Sequence, residues 1–121
     1  MSVYPEENPM AKSMFMAWAS PVDEASDSAF NTWYEETHVP QVRAAIPAIA
    51  AVHRYRVADI PGVGGAPAHR YLAVYEMDTD DVAGAMAALG AASADGRLEM
   101  TTTMDLAANP PVLHWFHAVT G

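Results

Sequence analysis

The stretch FNTWYEETHVP, residues 30–40, decides how the rest of this chain is interpreted. Its apolar and aromatic side chains recur at the i, i+3, i+4, i+7 and i+8 spacing of one helix face. That face carries, in order, Phe30, Trp33, Tyr34, Thr37 and His38. Pro40 lacks the N–H that a helix interior needs, so the pattern predicts a helix that ends at about His38. An aromatic stripe that ends in an imidazole places an ionisable group at the rim of an apolar surface, which is a composition typical of ligand sites.

The segments outside this helix predict four strands and a second helix. Runs of apolar, aromatic or β-branched residues without helical spacing occur at residues 12–19, 49–58, 69–77 and 112–119. The acidic sequence DTDD, residues 78–81, is a capping signal for a helix over residues 82–92. The order β-α-β-β-α-β predicts a ferredoxin-like α+β fold, with a four-stranded antiparallel sheet and both helices on one face.

The strands are also informative about the second face of this sheet. The first, third and fourth strands are apolar on both sides, so both faces of the sheet are expected to be covered. The economical cover for the face without helices is the same face of a second copy, which predicts a twofold homodimer. A charged fraction of only 17% agrees with an apolar surface hidden in this way.

Size and composition narrow the class of protein. A chain of 121 residues forms one domain, and we expect a flexible N-terminal arm over residues 1–10 and a single domain over residues 11–121. A net charge of −9 argues against nucleic acid and anionic membranes as partners. The absence of cysteine excludes disulfides and thiolate catalysis. With no signal peptide and no membrane-length apolar run, we expect a cytoplasmic protein.

Three motifs resemble one known family. The sequences WYEETHVP (residues 33–40), IPAI (46–49) and RY (54–55) are similar to the EthD-like branch of the dimeric α/β-barrel superfamily. The resemblance spans residues 15–77, and Ala48 departs from it where the family commonly has glycine. It implies the ferredoxin-like dimeric α/β-barrel fold. Similar proteins include cofactor-free monooxygenases, polyketide cyclases, lactone isomerases, haem-binding enzymes and members without an assigned activity, so the resemblance leaves the reaction open.

His38 is the leading candidate for a catalytic residue. At a helix C-terminus, with Glu35 nearby, its pKa should rise from the usual histidine value of about 6.5, although burial would act in the opposite direction. Such an imidazole could move a proton at an enol, a phenol or a carbon next to a carbonyl. The alternative is a helix cap that binds the last free carbonyls. Tyr34, one turn earlier, could orient a substrate oxygen or belong to the core.

A cleft between the first helix and the sheet is the expected substrate site. Its aromatic walls should come from the first strand, the helix and the last strand, namely Phe15, Trp18, Phe30, Trp33 and Trp115. On the second strand His53 and Tyr55 share one face, while Arg54 and Arg56 share the other, where they would need helical acids or Glu76 as partners. Periodicity leaves both orientations open, and we place His53 and Tyr55 in the cleft as substrate-binding residues.

Several common reaction classes lack their motifs in this chain. There is no G-x-S-x-G nucleophile elbow, and the run GVGG, residues 62–65, lacks the lysine of a phosphate loop. No HxH or HExxH spacing points to a metal. We therefore expect an enzyme without cofactor or metal that cyclises, isomerises or eliminates on an apolar oxygenated small molecule. The alternatives are a cofactor-free or haem-assisted monooxygenase, and a binding or accessory protein without catalysis.

Overall fold

The structure, a computed structural model, describes residues 10–62 and 68–119. Its strands are β1 (Ser13–Ala19), β2 (Ile49–Arg56), β3 (Tyr71–Met77) and β4 (Val112–His117). Its helices are α1 (Asp27–Trp33), a π-helical turn (Tyr34–His38), α2 (Val39–Ala45) and α3 (Val82–Ala94), with a 3₁₀ turn (Glu24–Ser26) before α1. The predicted N-terminal arm, apart from Met10, and residues 63–67 of the predicted glycine-rich segment lie outside the described residues.

The four strands form one antiparallel sheet in the order β2-β3-β1-β4. The α+β architecture and the ferredoxin-like order of elements are therefore confirmed. Because β1 lies between β3 and β4, Phe15 is the register partner of both Tyr75 and Trp115. This placement brings three aromatic side chains together on one face of the sheet.

The two faces of the sheet have different surroundings. On the face that packs against the helices, alternate residues of β1 and β3 are buried, and together with Phe30 and Tyr34 they make up most of the core. The other face, called here the open sheet face, carries half-buried or exposed side chains: Met14, Met16, Trp18, His53, Tyr55, Leu72, Val74, Glu76, Val112, His114 and Phe116. Most of these side chains are apolar, as the two-sided pattern of the strands predicted.

The helix that carries the candidate histidine continues through Pro40, and the predicted break at that proline is wrong. Val39 has helical dihedral angles (φ −58°, ψ −47°), and its N–H donates to the carbonyl of Tyr34, five residues back. This wide π turn lies immediately before Pro40, where the ring would otherwise press on the carbonyl of the preceding turn. A local widening relieves that conflict, so the helical path ends only at Ala45. Single π turns inside helices are frequent at functional sites.

The second helix begins as predicted and extends further. The Asp81 carboxylate accepts a hydrogen bond of 2.9 Å from the Gly84 N–H, which caps α3. Residues 95–111 then return across the helix face of the sheet without regular structure, and are called here the covering segment. It is tied down by hydrogen bonds from Val22 N–H to the Thr103 carbonyl (2.7 Å) and from Asp105 N–H to the Ser20 carbonyl (2.9 Å). In the described parts of the chain, no helix has the length and apolarity to cross a membrane.

Candidate functional site

A cavity of about 400 Å³ lies in the predicted cleft between the first helical stretch and the sheet. Its remaining walls come from α3, through Met86 and Leu89, and from the covering segment, through Leu98, Met100 and Met104. The lining is almost entirely apolar, with a few hydroxyl and imidazole groups at the helix side. Size and composition are those of a pocket for a small organic molecule.

The floor of the cavity is a stack of three aromatic rings. The Phe15 ring lies parallel to that of Tyr75, with centroids 4.3 Å apart and an interplanar angle of 6°. On its other side it stacks against Trp115 at 4.4 Å and 27°. Adjacent positions on β3, β1 and β4 impose this arrangement, since the three residues are register partners. The stack makes the sheet side of the cavity stiff and apolar.

His38 lies on the helix side of the cavity, inside the π turn. Its ring stacks on Trp33 with centroids 4.7 Å apart, and the Tyr34 ring meets it edge-on at 4.8 Å. The Nδ1 atom is buried without a hydrogen-bond partner, which leaves Nε2 as the nitrogen that a ligand could reach. Since the helix continues to Ala45, His38 is not at a helix end, and the interpretation of His38 as a helix cap is wrong.

Burial, followed by the positive charge of Arg54, lowers the pKa of His38 from 6.5 to about 4. The expected upward shift is therefore wrong, because it depended on a C-terminal helix dipole that is not there. Protonation would place a positive charge in an apolar wall and beside the Arg54 cation. His38 is consequently a neutral imidazole at physiological pH.

Two tyrosines complete the polar end of the cavity. Burial is the main cause that raises the pKa of both Tyr34 and Tyr75, so both are neutral phenols. Their hydroxyls are close enough to affect each other's ionisation, although the Tyr75 oxygen makes no hydrogen bond of good geometry. Sequence reasoning missed Tyr75. The register of β3 against β1 would have found it, because it places Tyr75 beside Phe15.

Arg54 was also missed as a member of the site. It lies on the helix face of β2, and its guanidinium carbon is 4.2 Å from the centroid of the Tyr34 ring. Nη1 is 3.5 Å from the Glu35 carboxylate, and Nη2 donates a 2.9 Å hydrogen bond to the Asn31 side-chain oxygen. The alternative in which this face of β2 meets a helical acid is therefore confirmed for Arg54. Glu76, the other acid considered, instead pairs with His53 at 2.9 Å on the open sheet face.

The predicted site residues fall into three groups. The residues that line the cavity are Phe15, Trp33, Tyr34, His38 and Trp115. Phe30 is fully buried behind them, in edge contact with Tyr34, and does not line the cavity. The predicted placement of Trp18, His53 and Tyr55 in the cleft is wrong, because the strand register turns all three to the open sheet face.

A metal site finds no support in the part of the chain that the structure describes, since no group of three or more His, Asp or Glu side chains could hold an ion there. His38 is the single imidazole among the cavity-lining residues. The cavity lining also includes Tyr34 and Tyr75, and imidazole and phenol groups can donate hydrogen bonds and transfer protons.

Comparison with known proteins agrees with the fold. One similar solved structure is that of an EthD-like protein from Ralstonia eutropha JMP134, with 19% identity and a TM-score of 0.61 over 92% of this chain and 96% of that one. Another is an ethyl tert-butyl ether D (EthD) family protein from Bacillus halodurans C-125, with 18% identity and a TM-score of 0.51 over 87% of this chain and 97% of that one. No protein-family model and no curated protein matches the sequence. The chain thus has the α+β, ferredoxin-like fold of EthD-like proteins, which confirms the resemblance at the level of fold.

Proposed function

We propose that this protein is a cofactor-independent acid–base enzyme that cyclises, isomerises or eliminates on an apolar oxygenated small molecule. The observation that carries the proposal is the neutral imidazole of His38 on the wall of an apolar cavity of about 400 Å³. Titratable groups with strongly perturbed pKa values are concentrated at functional sites. The second support is the π turn that holds His38, a feature retained in helices mainly where function needs it.

His38 acts in this proposal as the proton acceptor. Because its pKa is about 4, its lone pair is free at neutral pH. It removes a proton from a carbon next to a substrate carbonyl. The electron pair of that C–H bond forms the C=C bond of an enolate, and the π pair of the carbonyl moves to its oxygen. The new negative charge raises the pKa of the imidazole, since an opposite charge favours the protonated form. His38 can therefore hold the proton and return it to another atom of the substrate.

Tyr34 supplies the hydrogen bond that the developing oxyanion needs. Its hydroxyl is a neutral donor because burial raises its pKa. Its ring touches that of His38, so donor and base lie side by side at one end of the cavity. A donor fixed before the reaction stabilises charge that appears only in the transition state. The aromatic floor and Trp33 would bind the apolar remainder of the substrate.

The test uses an apolar bicyclic ketone, 2-tetralone, as a probe of proton abstraction. Exchange of its α-protons in deuterated water is followed by NMR with wild-type protein and with His38→Asn. We expect the substitution to slow protein-catalysed exchange by about 10²–10⁴-fold and to change stability by only about 1 kcal/mol. The matched control is His53→Asn on the open sheet face, which should leave exchange unchanged. Unchanged exchange in folded His38→Asn contradicts the mechanism, and binding without any exchange would favour a non-catalytic binding protein.

We also propose that the protein is a homodimer assembled through the open sheet face. Exposed apolar side chains on this face include Tyr55, Val112 and Phe116, at 56%, 38% and 39% exposure. A contiguous apolar patch of this kind is characteristic of an interaction surface. In a twofold dimer the open sheet face of each copy covers that of the other. The cavity, on the opposite side of each sheet, stays accessible.

A further inference from the structure

The Arg54 side chain, which is 13% exposed, adds a candidate functional residue that alternation along β2 did not place beside the cavity. We propose that Arg54 is a positioning residue whose charge, held behind the Tyr34 ring, makes the cavity favour the anionic form of a phenol or enol over the neutral form. The inference rests on the proposed function in using the same cavity. It deepens that proposal by naming the substrate class as weakly acidic phenols and enols.

The geometry places the charge where a ligand would feel it. The guanidinium carbon lies 4.2 Å from the Tyr34 ring centroid, and the ring of His38 meets the same tyrosine edge-on. Arg54 is also within 5.9 Å and 5.6 Å of the Phe30 and Tyr71 ring centroids, so aromatic rings surround it. Aromatic surroundings hold a cation by its attraction to the ring faces and exclude the water that would screen it.

The charge of Arg54 is only partly compensated. The Arg54 side chain is 13% exposed, whereas the Glu35 side chain that pairs with it is 67% exposed and hydrated. The Nε atom is buried without any partner. The carboxylate is therefore screened by solvent more strongly than the guanidinium, and a net positive field remains on the cavity side.

A small hydrogen-bond network keeps the guanidinium in place. Asn31 accepts from Arg54 Nη2 at 2.9 Å and is itself held through its side-chain N–H groups by the Asp27 carbonyl at 2.9 Å. The Asp27 carboxylate accepts hydrogen bonds from the Tyr71 hydroxyl at 2.6 Å and from the Asn31 side-chain N–H at 3.4 Å, and no hydrogen bond or ion pair joins it to Arg54 among the described residues. The groups that face Arg54 are thus Glu35, Asn31 and three aromatic rings. The same positive charge contributes to the low pKa of His38, as a neighbouring cation should.

The experiment measures the ionisation of a bound phenol and needs no turnover. The probe is 4-nitrophenol, whose phenolate is coloured, and the pKa of the bound probe is read from its absorbance as a function of pH. Wild-type protein and Arg54→Lys should hold the probe with a pKa about one unit lower than Arg54→Met does, a tenfold difference in preference for the anion. Arg54→Gln, a second neutral variant, should give the same pKa of the bound probe as Arg54→Met. It keeps the test decisive if Arg54→Met does not fold. The control is Arg43→Met, an exposed arginine of α2, which should behave like wild type.

Two results would overturn the inference. One is an equal pKa of bound 4-nitrophenol in wild-type protein and in the folded neutral variants. The other is failure of the wild-type cavity to bind 4-nitrophenol at millimolar concentration. Neither result concerns proton transfer to 2-tetralone, so failure of this inference is distinguishable from failure of the proposed acid–base function. A purely structural role of Arg54 would lower stability in the variants and would leave the pKa of the bound probe unchanged.

Discussion

The two faces of one sheet, separated by a single residue along each strand, have different surroundings in this protein. Phe15 points to the helices, where it is 1% exposed and forms the centre of the aromatic floor. Its neighbour Met16 points to the open sheet face, where no element of the described chain covers it. Both residues are apolar, so composition does not separate them. The difference shows that what packs on each face, and not the alternation itself, determines which residues line the cavity.

The largest expected effect contrasts these two neighbours directly. Phe15→Ala should lower the free energy of unfolding by about 3–5 kcal/mol, because it leaves a cavity in the middle of a stacked core. Met16→Ala should cost less than half as much when the protein is dilute enough to be monomeric, since Met16 is only half-buried in the single chain. Urea unfolding followed by circular dichroism measures both changes. Equal losses would mean that the two faces are packed alike.

A pH dependence specific to the helix face should follow from His38. The unfolded chain takes up this proton at a pKa of about 6.5, whereas burial lowers the folded value to about 4. Between these values the unfolded state binds more protons than the folded state. The contribution of neutral His38 to the free energy of unfolding is therefore complete above pH 6.5 and is lost as the pH falls towards 4. The loss should be at most about 3 kcal/mol. The free energy of unfolding of His38→Asn should fall less steeply over this range, and parallel curves would contradict the assignment.

A charge introduced on the open sheet face should change the oligomeric state of the protein. Met16→Glu introduces a carboxylate at the centre of the proposed interface, where pairing twofold copies would bury two like charges. We expect the wild type to be a dimer at micromolar concentration and the dimer of this variant to weaken by at least about 100-fold, close to 2.7 kcal/mol. Multi-angle light scattering makes the comparison, with Arg43→Glu on α2 as the control. A monomeric wild-type protein would refute the interface.

The elements of the fold were predictable because their signals are local. The apolar and β-branched runs locate all four strands, and the Asp81 cap marks the start of α3. The course of the first helix was not predictable in the same way. A proline two residues after His38 ordinarily ends a helix, and only the π turn at Tyr34–His38 lets the chain continue. Helical spacing of apolar residues does not reveal such a local widening of the helix.

Only part of the site was predictable, because local patterns do not show which face of a strand packs against the helices. The stripe of the first helix placed Trp33, Tyr34 and His38 at the cavity wall. On β2, alternation paired His53 with Tyr55 and Arg54 with Arg56, but could not say which pair faces the helices. In the structure Arg54 points to the helices, where Glu35, Asn31 and the aromatic rings contact its guanidinium. That compensation comes from residues distant in sequence, so it was invisible to a pattern along one strand.

The most direct test of the account is the titration of His38 itself. Isotope-labelled protein, with the His38 ring signals assigned by their loss in His38→Asn, can be followed by NMR from pH 8 towards acid. The account predicts a neutral imidazole that takes up its proton only near pH 4, because it is buried in the cavity wall beside Arg54. A His38 that titrates at about 6.5, as a solvated histidine does, would contradict the buried neutral base on which the proposed function depends.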